Sequence, residues 1–301
     1  MASSGYAMVV LFALIVGSPL IQSHLDHRRH LCILTESPLL HIAAAPTSSH
    51  TSSPTETISG IVSFWLTSSY QISYYVSILA AKSVFVVSLA ATCNKTIWPG
   101  IQASGGQPLL MEGGLELKPL QSRNLTAPKG WSGRFWGRTG CTFNVYGLGT
   151  CTTGDCGSGI YCNGAGGEPP ASLAEFTLDS PVDFYDVSLL DGYNIPISII
   201  PQDDSGLCPS VRCDTDLNLH CPPNLLVRGD RGQIVACKSA CTAFQSPEFC
   251  CTGQFQNPNR CKPTKYSQYF KRACPTSFTY AFDDMTSTFT CRESDYVIRF
   301  C

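Results

Sequence analysis

The chain is 301 residues long, enough for one large domain or two ordinary ones. Charged residues make up only 14% and the formal net charge is −2, which excludes the basic footprint that nucleic acid or an anionic membrane would require. Seventeen cysteines dominate the composition; sixteen fall between Cys93 and Cys301, an even set that points to disulfides in an oxidising compartment.

Residues 1–23 place an apolar run (7–16) before Gly17, Ser18 and Pro19, the shape of a secretory signal peptide without a positive n-region. Residues 24–82 form an N-terminal extension. Its first part is rich in Ser, Thr, His and Pro and has no apolar period, so it cannot offset its conformational entropy and is expected to be disordered. Cys32 lies here without an evident partner. A second apolar stretch begins at Ile61. Its length would allow a membrane span, but seven Ser, Thr and Gln residues dilute its first half, so the chain is not expected to be membrane-anchored. Residues 61–80 are an alternative signal-peptide core.

The main domain is expected over 84–301. SVFVVSLAATC (83–93) is rich in β-branched residues and reads as a first strand. From there short β-type segments alternate with Gly, Pro, Asn and Asp turns, the pattern of a mainly-β sandwich or barrel. KYSQYFKRAC (265–274) is the best short-helix candidate, and Asn94-Lys95-Thr96 and Asn124-Leu125-Thr126 are glycosylation sequons. Of six histidines only His220 falls in this region, in an expected surface loop beside Cys221-Pro222-Pro223. Histidine-based catalysis would therefore rest on one residue.

The run GLGTCTTGDCGSGIYC (147–162) packs three cysteines among five glycines, as tight turns stapled by short disulfides would. A zinc site is disfavoured, because the run has no histidine and no Cys-x₂-Cys pair. Asp155 is expected to cap turn amides. Arg138, Lys262 and Lys265 read as ordinary solvated charges.

Period-two geometry assigns faces. Phe184, Asp186 and Ser188 share one face of a strand, opposite Tyr185, Val187 and Leu189. Glu175 and Thr177 oppose Phe176 and Leu178, and Arg134, Trp136 and Arg138 oppose Phe135. Asp191 follows in an Asp191-Gly192 turn. Each segment thus has a polar face; whether those faces meet is not local information.

The 147–162 run resembles the signature of thaumatin-like proteins, in Gly147, Gly149, Cys151, Thr153, Gly154, Asp155, Cys156, Gly159 and Cys162. The likeness extends through SGRFWGRTGC (132–141), SLAEF (172–176), FYDVSLLDGYNIP (184–196), EFCCTG (248–253) and YVIRFC (296–301). It covers about residues 84–301 and implies a β-sandwich core with disulfide-rich loop lobes and short helices. It also implies the pairing Cys93–Cys301, Cys141–Cys151, Cys156–Cys162, Cys208–Cys291, Cys213–Cys274, Cys221–Cys237, Cys241–Cys250 and Cys251–Cys261.

The resemblance further implies a cleft lined by Arg134, Glu175, Asp186, Asp191 and Asp283, with Phe184, Tyr193 and Trp136 near enough to stack on sugars. The expected function is a secreted, monomeric, antifungal or stress-response protein of plant-defence type. Its cleft would bind β-1,3-glucan or another fungal cell-wall polysaccharide, without cofactor or metal. The first alternative is a weak endo-β-1,3-glucanase with Glu175 as acid and Asp186 or Asp191 as partner. The second is an inhibitor or protein-ligand module. With no extension after Cys301, export to the apoplast or cell wall is expected.

Overall fold

A computed structural model describes residues 84–301 except 179–181, 204, 205 and 293, together with the backbone of two short strands upstream. The signal peptide, the Ser/Thr/Pro-rich segment and Cys32 lie outside the described residues. The upstream strands, β1 (Ile61–Phe64) and β2 (Tyr74–Ser77), pair antiparallel. Part of the second apolar stretch is therefore extended. Among the described residues no helix is long and apolar enough to cross a membrane.

The sandwich begins with β3 (Val84–Ala91), β4 (Trp98–Ala103), β5 (Ser122–Pro128) and β6 (Ser132–Arg138), followed by a small ribbon of β7 (Thr142–Phe143) and β8 (Gly149–Thr150). Next come β9 (Leu173–Thr177), β10 (Asp183–Ser188), β11 (Ile197–Pro201) and β12 (Val211–Cys213). A second ribbon, β13 (Leu226–Arg228) with β14 (Ile234–Cys237), leads to helices α1 (Ala240–Phe244), α2 (Pro247–Cys250), α3 (Lys265–Ala273) and α4 (Asp284–Ser287). Strands β15 (Phe289–Cys291) and β16 (Tyr296–Phe300) close the chain.

Two five-stranded sheets result. One runs β15-β10-β9-β6-β4 and the other β12-β11-β16-β3-β5. Strand β3 shows why the sandwich forms: Phe85, Val87, Leu89 and Ala91 are buried while the residues between them face outward, the period-two alternation of a strand with one covered face. The inner faces meet through aromatic rings. Phe176 of the first sheet lies 5.2 Å from Tyr296 of the second, and Tyr185 lies 5.3 Å from the same ring. Edge-on and tilted ring pairs of this kind add to simple area burial.

β3 and β16 pair in parallel although they stand at opposite ends of the domain. Cys93–Cys301 ties them together just beyond their C-terminal ends. All eight bridges form in the pairing the resemblance implies. The helix expected at 265–274 is α3, started by a reciprocal cap in which Thr264 and Ser267 bond each other's backbone amides. His220 is exposed at the end of a short helical turn.

The glycine-cysteine run folds over the outer face of the first sheet, and this corrects two expectations. Trp136 and Arg138 belong to the outward-pointing set of β6, yet both are fully buried. Trp136 packs with Cys156, Cys162, Ala171 and Leu173 in a small core of its own, and its indole N–H donates to the Gly154 carbonyl at 2.8 Å. The ring fills space that side chains would otherwise occupy: a Cβ on Gly100 would lie 2.3 Å from it, and one on Gly167 2.4 Å. Arg138 is no solvated charge. It donates to the carbonyls of Trp98, Pro99, Gly159 and Ile160, and to Cys156 Sγ, pinning the disulfide loop to the sheet. Burial lowers its pKa to about 10, with Asp155 opposing the shift, so the guanidinium stays charged at neutral pH. Asp155 itself accepts from the Cys151 and Gly157 amides, as a turn cap should.

Candidate functional site: a row of charges on the open face

Where the glycine-cysteine loop stops, the outer face of the first sheet is left open, and the charges stand there. Strand register aligns Gln102 of β4 with Arg134 of β6, Arg134 with Glu175 of β9, and Glu175 with Asp186 of β10. Directly opposed residues point to the same face, with Cβ atoms about 4.5–5.5 Å apart. One rung crossing four strands therefore lays amide, guanidinium and two carboxylates side by side. Arg134 Nε lies 3.4 Å from Glu175 Oε1, in a pair that keeps considerable exposure on both sides. The next rung supplies Phe184 opposite Thr177. Arg134, Glu175, Asp186, Thr177 and Phe184 line a hollow of about 280 Å³ with Ser104 and Ser132, while the Gln102 amide donates to the Gly164 carbonyl at 3.2 Å.

Asp191 reaches the same field from the β10–β11 turn. Gly192 adopts φ +94° there, a left-handed conformation that suits glycine, and a Cβ would meet the Cys237 carbonyl at 2.7 Å. Burial raises the Glu175 carboxyl above its usual range; Arg134 pulls it back, Asp191 raises it further and a Ser188 hydrogen bond lowers it. Burial likewise raises Asp191, against the pull of Arg134. Arg134 thus acts on both carboxyls, and Glu175 feels Asp191 as a like charge. Asp191 also lines a second hollow of about 180 Å³, walled on its other side by Phe249, Thr264 and residues 279–281.

Asp283 is placed differently. Its Oδ2 accepts from the Thr279 amide and hydroxyl and pairs with Lys271 Nζ at 3.1 Å, while Oδ1 accepts from the Thr286 hydroxyl. With its charge matched by Lys271, it braces the 279–286 segment that walls the Asp191 hollow. Of the three aromatics expected beside the cleft, only Phe184 is available, at 47% exposed. Tyr193 is fully buried in the core, and Trp136 is sealed under the disulfide loop. Gln102 was missed in the sequence because an amide carries no charge signal; only strand register reveals its place beside Arg134.

A sequence model of the Thaumatin family matches residues 91–301. The chain belongs to the thaumatin family. Among its relatives, the "Pathogenesis-related thaumatin-like protein 3.5" of Cryptomeria japonica is 55% identical over 72% of this chain and 89% of its own. A "Thaumatin-like protein" of Arabidopsis thaliana is 53% identical, over 75% of this chain and 94% of that one. "Pathogenesis-related protein 5" of the same plant is 51% identical, over 78% and 98%. Among solved structures, a laminaripentaose-producing β-1,3-glucanase in complex with laminaritetraose superposes with a TM-score of 0.54 at 10% identity, covering 73% of this chain and 99% of that one. That likeness shows a shared fold. The eight disulfides of this thaumatin-family domain fit an oxidising, extracellular setting.

Proposed function

We propose that this protein is a secreted defence protein that binds β-1,3-glucan of fungal cell walls through the Arg134–Glu175–Asp186 row, with Asp191 and Phe184 extending the surface. The observation that carries the reading is the single rung on which Gln102, Arg134, Glu175 and Asp186 stand abreast. Carboxylates accept hydrogen bonds from sugar hydroxyls, the guanidinium donates to sugar oxygens, and Phe184 offers an exposed ring to a pyranose face. Four strands fix the spacing of these groups, so binding orders little that is not already ordered. The names of relatives at 51–55% identity support the defence role. Export to the apoplast or cell wall accords with the disulfides, and Asn94 and Asn124 are both exposed, as glycan acceptors must be.

Hydrolysis is the second reading, and one observation favours it: burial and Asp191 together hold the Glu175 carboxyl above its usual range, as a general acid requires. Against it, Arg134 sits on that same carboxylate and favours the ionised form. Binding without turnover predicts that the full chain releases no reducing sugar from soluble β-1,3-glucan. Release that vanishes in Glu175→Gln would make the row a glycosidase site instead.

A further inference from the structure

The disulfide-rich lobe carries another hollow, of about 360 Å³, larger than the one beside Glu175 and opposite to it in charge. Phe249, Phe255 and Tyr266 form its walls, and Arg260, Lys262 and Lys265 stand around them. Glu248 is the one acidic residue in its lining. We propose that this hollow binds an acidic saccharide, a chain of uronic acids whose carboxylates engage the cations while its pyranose rings lie on the aromatic walls.

The electrostatics call for an anion. Among the described residues, none of the three cations has an ion-pair partner. Lys265 is the first residue of α3, and the first turn of that helix has no acidic residue. A helix N-terminus carries partial positive charge and ordinarily attracts carboxylates. Here a lysine stands on it instead, and Lys262 lies three residues earlier.

The frame is rigid. Cys251–Cys261 closes the loop that carries Phe255 and Arg260, and Cys241–Cys250 holds the segment that carries Phe249. Tyr266 packs 5.8 Å from Phe249 and 5.2 Å from Phe244, and its hydroxyl receives the Asn224 amide. Lys265 Nζ lies 5.1 Å from the Tyr266 ring, so a cation is already parked against the wall. Rings for the apolar faces of sugars, beside a planar guanidinium that matches a carboxylate, describe a uronate better than a neutral glucan or a bare phosphate.

The test titrates the full chain with trigalacturonate, with the neutral galactose trimer and with a sulfated trisaccharide, at low and high salt. The double variant Arg260→Ser/Lys265→Gln is run beside it. The expected result is trigalacturonate binding that weakens with salt and drops by about tenfold or more in the variant, the worth of one charge-assisted hydrogen bond. The neutral trimer should not bind, and retention of the variant on β-1,3-glucan should equal that of the wild type, which separates this hollow from the Glu175 row. No binding of trigalacturonate, equal binding by the variant, or equal binding of the neutral or sulfated sugar would overturn the proposal.

Discussion

Arg134 and Glu175 lie 41 residues apart in sequence, yet they face each other across adjacent strands with Nε 3.4 Å from Oε1. The pair keeps 43% and 31% of its side-chain surface exposed. An exposed ion pair contributes at most about 1 kcal/mol, so it does little to hold the fold. Its groups stay available to a ligand, and either can be changed without unfolding the sheet. That makes the pair a clean place to test function.

Arg138 is the opposite case. Its guanidinium satisfies carbonyls from both the sheet and the disulfide loop, including Gly159 at 2.7 Å and Ile160 at 2.6 Å. Arg138→Leu would leave those acceptors buried without donors, at about 1–3 kcal/mol each. The expected loss is about 3 kcal/mol or more, read as a lower urea midpoint with an unchanged slope. A shift near zero would show that water replaces the guanidinium.

Gly100 marks the tightest approach in the same region. Its missing Cβ is where the Trp136 ring lies, 2.3 Å from the ideal position. Gly100→Ala forces the indole or the strand to move, with an expected cost of about 1–3 kcal/mol. Because Trp136 moves with it, its environment should change in near-ultraviolet circular dichroism. An unaltered spectrum would contradict this packing.

Cys93–Cys301 closes the longest loop in the domain, with a sequence separation of 208. Replacing both cysteines with serine should lower stability by about 5 kcal/mol in the chain-entropy picture. Cys156–Cys162 closes a separation of only 6, so its removal should cost less through the unfolded chain. Equal losses for the two double variants would point to native-state effects instead.

Asp191 supplies a pH signature. Burial raises its pKa in the folded state, with Arg134 opposing the rise. Between the unfolded and folded values the native state binds more protons than the unfolded one. Stability therefore falls as pH rises through that window, and the deficit persists above it. Asp191→Asn should raise Tm at neutral pH, and the gain should fade as pH drops below the unfolded value of about 4. A gain that is the same at every pH would refute the assignment.

The sequence made the sandwich legible because alternation is local: Tyr185 and Val187, opposite Asp186 and Ser188, declare the inner face of β10 within a few residues. The open face of the charge row was legible in the same way, strand by strand. What brings Arg134 to Glu175 is pairing register, which spans 41 residues and leaves no local trace. Alternation also says which side chains share a face without saying what covers that face. Trp136 and Arg138 were therefore misread as surface groups, although the glycines that make room for the indole were in plain view. Lys262 and Lys265 read as solvated charges one at a time. Their meaning lies in Phe255 and Tyr266 beside them, and in the helix that starts at Lys265.

Retention on insoluble β-1,3-glucan, measured for the full chain beside its Glu175→Gln variant, decides whether the row is a binding surface. The wild type should be retained, and the variant, folded and fully disulfide-bonded, should be retained about tenfold less, as expected when a charged hydrogen-bonding group is lost. Equal retention of the two proteins, or none by either, would contradict glucan binding at this site.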